Sequence, residues 1–115
     1  IAGQQLGRKI GVPTINLQIH PRKVLPANGV YAAYALFDNN VSTHKAALNI
    51  GTRPTVDGQT LSVEFHVIGE NIETPPQRVR LKIIERLRDE KKFNSLDELV
   101  SQVQKDITRA AQLLL

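Results

Sequence analysis

The sequence predicts a mainly β protein, a small antiparallel barrel or sandwich with one helix at its C-terminal end, and three observations carry that prediction. Alternating or β-branched stretches recur at five places along the chain. The segments between them are rich in turn residues and show no helical pattern, which favours antiparallel pairing over a parallel α/β sheet. After Ser95 the apolar residues change from a period of two to helical spacing.

The first strand is expected from Thr14 to Ile19, with Pro13 fixing the backbone just before it. A second, Val30 to Phe37, follows Asn28-Gly29, a pair that tolerates positive φ. Asp38-Asn39-Asn40 suits a hairpin into the third, Lys45 to Ile50, from which Gly51 permits a sharp exit. Asp57-Gly58 precedes the fourth, Leu61 to Ile68. Pro75-Pro76 cannot donate to a ladder and precedes the fifth, Arg78 to Leu87. Ser95 with Glu98 then forms a capping-box pattern, and Leu96, Leu99, Val100, Val103, Ile107, Ala110 and Leu114 make one apolar stripe. That stripe needs a surface to cover, and an open side or end of the barrel offers one.

At 115 residues, 41% hydrophobic and 23% charged, the chain is expected to form a single globular domain over 1–115. No apolar run approaches the roughly 20 residues that span a bilayer, and no leader pattern opens the chain, so no membrane partner is expected. The absence of cysteine excludes a disulfide framework and a thiolate metal site, and makes a reducing cytoplasm the simplest location. The net charge of +4 belongs to the first half: Ile1 to Val63 carry six Lys and Arg against two acids, and Glu64 to Leu115 carry nine of each. Such asymmetry favours an anionic ligand, a nucleoside triphosphate or a nucleic acid. With two Tyr and three Phe, and no strand interleaving aromatic with basic residues, stacking of bases is poorly provided for, and no nucleic-acid partner is expected. The chain does not begin with Met, as expected of a piece of a longer protein.

Four stretches carry side chains suited to chemistry. In GRKIGVPTINL, alternation puts Thr14, Asn16 and Gln18 on one strand face and Ile15, Leu17 and Ile19 on the other. Neutral oxygens two residues apart suit a Mg²⁺ that takes its remaining ligands from water and phosphate. Gly7 and Gly11 allow close approach of the main chain, and Arg8 or Lys9 reach toward phosphate. A turn entering a strand with a polar outer face is the plainer alternative. In LSVEFHVI, Glu64 shares a face with His66. A carboxylate within reach of a substrate hydroxyl is a competent general base, although a lone strand Glu more often faces solvent. In LNIGTRPTV, Arg53 is a natural partner for an anion or carboxylate, or a solvated residue at a strand end. RLRDEKKF is a dense charge run between the last strand and the helix. His20 and His44 have no partners at ligand spacing, which excludes a zinc site.

Taken in order, GRKIGVPTINL, LPANGVYA, NIGTRPT, VEFH and LRDEKKFNSLDEL resemble the riboflavin kinases, and in particular the kinase module of the bacterial bifunctional riboflavin kinase and FAD synthetase. The likeness runs from Gly7 to about Ile107. It implies a small antiparallel Greek-key β-barrel capped by one C-terminal α-helix, and transfer of the γ-phosphoryl group of ATP to the 5′-hydroxyl of riboflavin, giving FMN and ADP, with Mg²⁺ as cofactor. By the same resemblance, Gly7, Arg8, Gly11, Pro13, Thr14 and Asn16 lie on the ATP and phosphate side, with Thr14 and Asn16 at the metal and Glu64 as the base. Asn49, Arg53, Arg88, Asp89 and Glu90, with Phe93 beside them, fall on the flavin side. An upstream adenylyltransferase module is implied in the parent protein. The family's usual first strand is expected to be missing, since only IAG stands in its place, and Val12 replaces a common Phe. A module that binds flavin or nucleotide without catalysis is the alternative, together with a small basic barrel that binds nucleic acid.

Overall fold

The computed structural model describes residues 2–9, 12–19, 25–38 and 42–115, with side chains from residue 12 onward. Six strands and a helix follow in chain order: β1 (Ala2–Lys9), β2 (Val12–Gln18), β3 (Gly29–Phe37), β4 (Ser42–Thr55), β5 (Gly58–Val67), β6 (Val79–Arg88) and α1 (Leu96–Leu113). The strands form one antiparallel sheet in the order β1-β2-β5-β4-β3-β6. Consecutive hairpins join β3, β4 and β5, while β2 returns beside β5 and β6 beside β3. Two Greek keys therefore share the three central strands. Among the described residues no pairing joins β1 to β6, so the expected small Greek-key barrel is a sheet that hydrogen bonds do not close.

Alternation sorts the side chains of this sheet. Ile15 and Leu17 of β2, Tyr31, Ala33, Ala35 and Phe37 of β3, Ala46, Leu48 and Ile50 of β4, and Val63, Phe65 and Val67 of β5 all point inward. Val79 of β6 joins them, so strands from both halves of the sheet enclose one core. At the start of β4, the Nδ1–H of His44 donates to Glu70 at 2.8 Å, and its Nε2 lies 2.9 Å from the Ser42 hydroxyl. The carboxylate fixes the tautomer, which leaves Nε2 to accept from the serine. This chain of bonds ties the strand to the segment after β5.

Two elements depart from the expected set. Ala2–Lys9 has two glycines and no alternation, yet it forms β1 by pairing along β2, with Gly7 opposite Thr14 and Lys9 opposite Val12. β4 does not leave the sheet at Gly51. It continues to Thr55 against β5, and Pro54 is tolerated because β3 has already ended opposite Ile50, leaving that edge without a donor to satisfy. The hairpin turns at Val56-Asp57, and Gly58 supplies a φ of 138° on the return.

The helix begins where the sequence predicts. Ser95 Oγ accepts from the Glu98 amide at 3.1 Å, and the Glu98 carboxylate accepts from the Asn94 amide at 3.2 Å, one residue before the usual partner in a capping box. α1 lies on the outer face of the sheet, against β3, β4 and β6. The small side chains of Ala32 and Ala47 let its last turns settle closely, burying Ala110 and Leu114. Tyr34 donates its hydroxyl to the Leu115 carbonyl at 2.6 Å.

A charged clasp holds the helix middle. Arg88 Nε lies 3.0 Å from each oxygen of Asp106, Arg88 Nη2 lies 2.8 Å from Oδ2, and Gln102 adds a donor to Oδ1 at 3.0 Å. Asp106 is buried, so the pair must be well satisfied for the helix to dock. Replacing Asp106 by Ala removes that partner and leaves a guanidinium under the helix. The expected loss of unfolding free energy is about 3 kcal/mol, read by urea titration, and a loss below about 0.5 kcal/mol would mean that the clasp contributes no more than a surface pair.

Candidate active site

Strand register assembles the polar residues that alternation keeps out of the core. Asn16 of β2 stands opposite Glu64 of β5, and Glu64 stands opposite Asn49 of β4. Three polar side chains are thus abreast on the outer face, at the close spacing of directly paired residues. One step along the same face come Thr14 on β2, His66 on β5 and Ala47 on β4, the last two in direct register.

All of these residues but Asn16 line a cleft of about 330 Å³, a volume within the range of small-molecule sites. Thr14, Asn49, Glu64 and His66 line the floor. The roof comes from α1 through Leu99, Val103 and Ile107, and one end is closed by Arg88, Glu90, Lys91 and Phe93. The apolar stripe of the helix therefore divides: its C-terminal part packs on alanine, and its N-terminal part overhangs the cleft.

Glu64 is only 6% exposed, an unusual condition for a strand carboxylate. Beside it, Asn16 Oδ1 is buried with no hydrogen-bond partner among the described residues. A buried carbonyl oxygen left in that state costs free energy unless something donates to it or coordinates it. Neutral oxygens of Thr14 and Asn16 near a carboxylate are a donor set that fits a hard divalent cation sharing its coordination with water and phosphate. Among the described residues there is no cluster of three or more His, Cys, Asp or Glu able to hold a metal by themselves.

The remaining sequence candidates fall in several places. Pro13 is exposed beside Thr14. Gly7 and Arg8 belong to β1, opposite Thr14 and Pro13, and Gly11 lies outside the described residues. Asn49, Arg88 and Glu90 line the cleft. The carboxylate of Glu90 rests against Gly51, where a Cβ would collide with it, so the glycine serves close approach within a continuous strand. Asp89 instead accepts from Arg86, whose guanidinium also donates to the Asn28 carbonyl. Hydrogen bonding to Asp89 first, and the hydroxyl of Tyr31 second, raise the pKa of Arg86 above its ordinary value. Arg53 donates to Ser62 Oγ at 2.8 Å and does not line the cleft.

Sequence reasoning gave no site role to Lys91, Leu99, Val103 or Ile107, nor to the clasp residue Asp106. Asp106 had a signal: it is an acid placed inside an otherwise apolar helical stripe, where a buried partner is required.

The chain is similar to known proteins over most of its length. A family model described as Flavokinase, riboflavin kinase, matches residues 1–114. The chain is 36% identical over 110 residues to a bifunctional riboflavin kinase/FMN adenylyltransferase of Haemophilus influenzae, covering 96% of this chain and 35% of that one. It is 36% identical over 122 residues to an RNA-binding riboflavin kinase of Bacillus subtilis, covering 97% of this chain and 47% of that protein. A crystal structure titled macrolide-efflux protein, from Streptococcus pneumoniae, superposes with a TM-score of 0.77 at 30% identity, over 89% of this chain and 33% of that one. The chain thus spans between a third and a half of the length of these proteins.

The orphaned oxygen of Asn16 has a measurable consequence. Asn16→Leu removes an unsatisfied polar atom at constant size, and the ligand-free protein should gain about 1 kcal/mol of unfolding free energy in urea titration. A destabilised variant would show that the amide is satisfied in solution without a ligand.

Proposed function

Since the chain belongs to the riboflavin kinase family, we propose that it transfers the γ-phosphoryl group of ATP to the 5′-hydroxyl of riboflavin, yielding FMN and ADP. The single observation that supports this reading most is Glu64 beside Asn49 on the floor of a cleft with an apolar roof, with Asn16 in register next to Glu64. The polar row suits a phosphoryl group and the hydroxyl that receives it. The apolar roof suits a planar ring system.

Family membership goes with ATP and a divalent cation. Mg²⁺ is the proposed cation, because two neutral oxygens and a phosphate chain are the kind of shell it accepts. Thr14 and Asn16 would hold it, and when bound it would neutralise charge on the phosphates. Phosphoryl transfer requires mainly alignment and electrostatic stabilisation from the protein. Glu64 accepts the proton of the attacking hydroxyl as the new P–O bond forms. Its burial keeps water from competing for that proton. The proposal keeps Gly7, Arg8 and Gly11 on the phosphate side, as the sequence resemblance implies.

On the flavin side the proposal retains Asn49, Arg88 and Glu90, with Arg88 oriented by Asp106 rather than free to follow a ligand. Asp89 and Arg53 are left out of it, because Arg86 and Ser62 engage them away from the cleft. The bifunctional relatives join this module to an FMN adenylyltransferase, and the parent of this chain is proposed to do the same, in the cytoplasm.

Incubation with ATP, Mg²⁺ and riboflavin, followed by chromatography, should reveal FMN. Glu64→Gln should lower the rate by about a hundredfold or more while Mg·ADP still binds in calorimetry. Undiminished turnover in that variant removes Glu64 from the role of base. Binding of riboflavin and Mg·ADP without any FMN from the unaltered chain would identify a non-catalytic module.

A further inference from the structure

His66 forms a bond that strand pairing does not supply. The β2–β5 ladder runs from Leu17 opposite Val63 to Ile15 opposite Phe65. One residue further, the strand reaches Pro13-Thr14, and proline has no amide hydrogen to contribute to the next exchange. At that point His66 Nδ1 lies 2.8 Å from the Pro13 carbonyl oxygen. A carbonyl only accepts, so Nδ1 carries the proton and donates it.

The bonded carbonyl belongs to the planar peptide unit that ends in the Thr14 nitrogen. Holding that oxygen fixes the plane from which Thr14 departs. On the other side Thr14 pairs with Gly7 of β1, so its backbone is gripped from both neighbouring strands. We infer that His66 is a positioning residue, which clamps the Pro13-Thr14 peptide to β5 and so aims the Thr14 hydroxyl at the cation and phosphates of the nucleotide. His66 neither takes the substrate proton nor holds the flavin. This role rests on the kinase reading of the cleft and assigns a task to a side chain which that reading leaves idle.

The test compares His66→Ala, His66→Asn and His66→Gln in the intact chain. Asn carries its amide nitrogen the same number of bonds from the backbone as Nδ1, whereas Gln carries it one bond further. His66→Ala should weaken Mg·ADP in calorimetry, and raise KM for MgATP, by about five- to tenfold, the loss expected for one hydrogen bond. Riboflavin affinity, followed by flavin fluorescence, should stay unchanged. His66→Asn should recover most of the nucleotide affinity and His66→Gln should not. The Asn and Gln comparison decides the matter even where the Ala variant folds poorly. Equal Mg·ADP affinity in the Asn and Gln variants overturns the clamp, as does a parallel loss of riboflavin affinity, the mark of a merely structural role. If the unaltered chain neither binds Mg·ADP nor forms FMN, the kinase reading itself fails and the clamp falls with it.

Discussion

The register between β2, β5 and β4 is the constraint from which the rest follows. Side chains in a strand alternate strictly, so a slip of one residue between β2 and β5 would turn Asn16 into the core and Ile15 out of it. The buried row Ile15, Phe65, Leu48 and the polar row Asn16, Glu64, Asn49 are two sides of one pairing. The hydrophobic core thus fixes the polar row without any contact to it. A burial preference worth several kcal/mol across such side chains holds the geometry of groups that would otherwise seek water.

Above that floor, the helix is attached by two unlike means. Its last turns pack on Ala32 and Ala47 by shape, while its middle is held by the Arg88–Asp106 clasp. The clasp also determines what Arg88 can do, since three of its guanidinium contacts are committed to Asp106. Arg88 and Lys91 both stand near the ring of Phe93, at 5.8 and 5.5 Å from its centroid, so the closed end of the cleft combines positive charge with an aromatic face.

Local pattern reveals much of this architecture in the sequence and hides the parts that depend on distant partners. Alternation located five of the strands to within a few residues at most ends, and Ser95 with Glu98 located the helix start. It also put Thr14 with Asn16, and Glu64 with His66, on shared faces. β1 stayed hidden because Ala2–Lys9 has neither alternation nor β-branched residues, and becomes a strand only through its neighbour. The continuation of β4 through Gly51 and Pro54 was masked by two residues that usually end strands, and it persists because one edge there is free. The Arg88–Asp106 clasp and the His66–Pro13 bond link positions far apart along the chain, for which no local period exists.

The divided stripe of α1 makes the helix a lever. Its fulcrum is the packing of Ala110 with Ala32 together with the Arg88–Asp106 clasp, and the arm beyond them carries Leu99 and Val103 above the floor. An added methyl group at the fulcrum would tilt the arm and change the height of the gap more at Leu99 than at the point of insertion. The aperture offered to a flat molecule is therefore set by two alanines that never meet it.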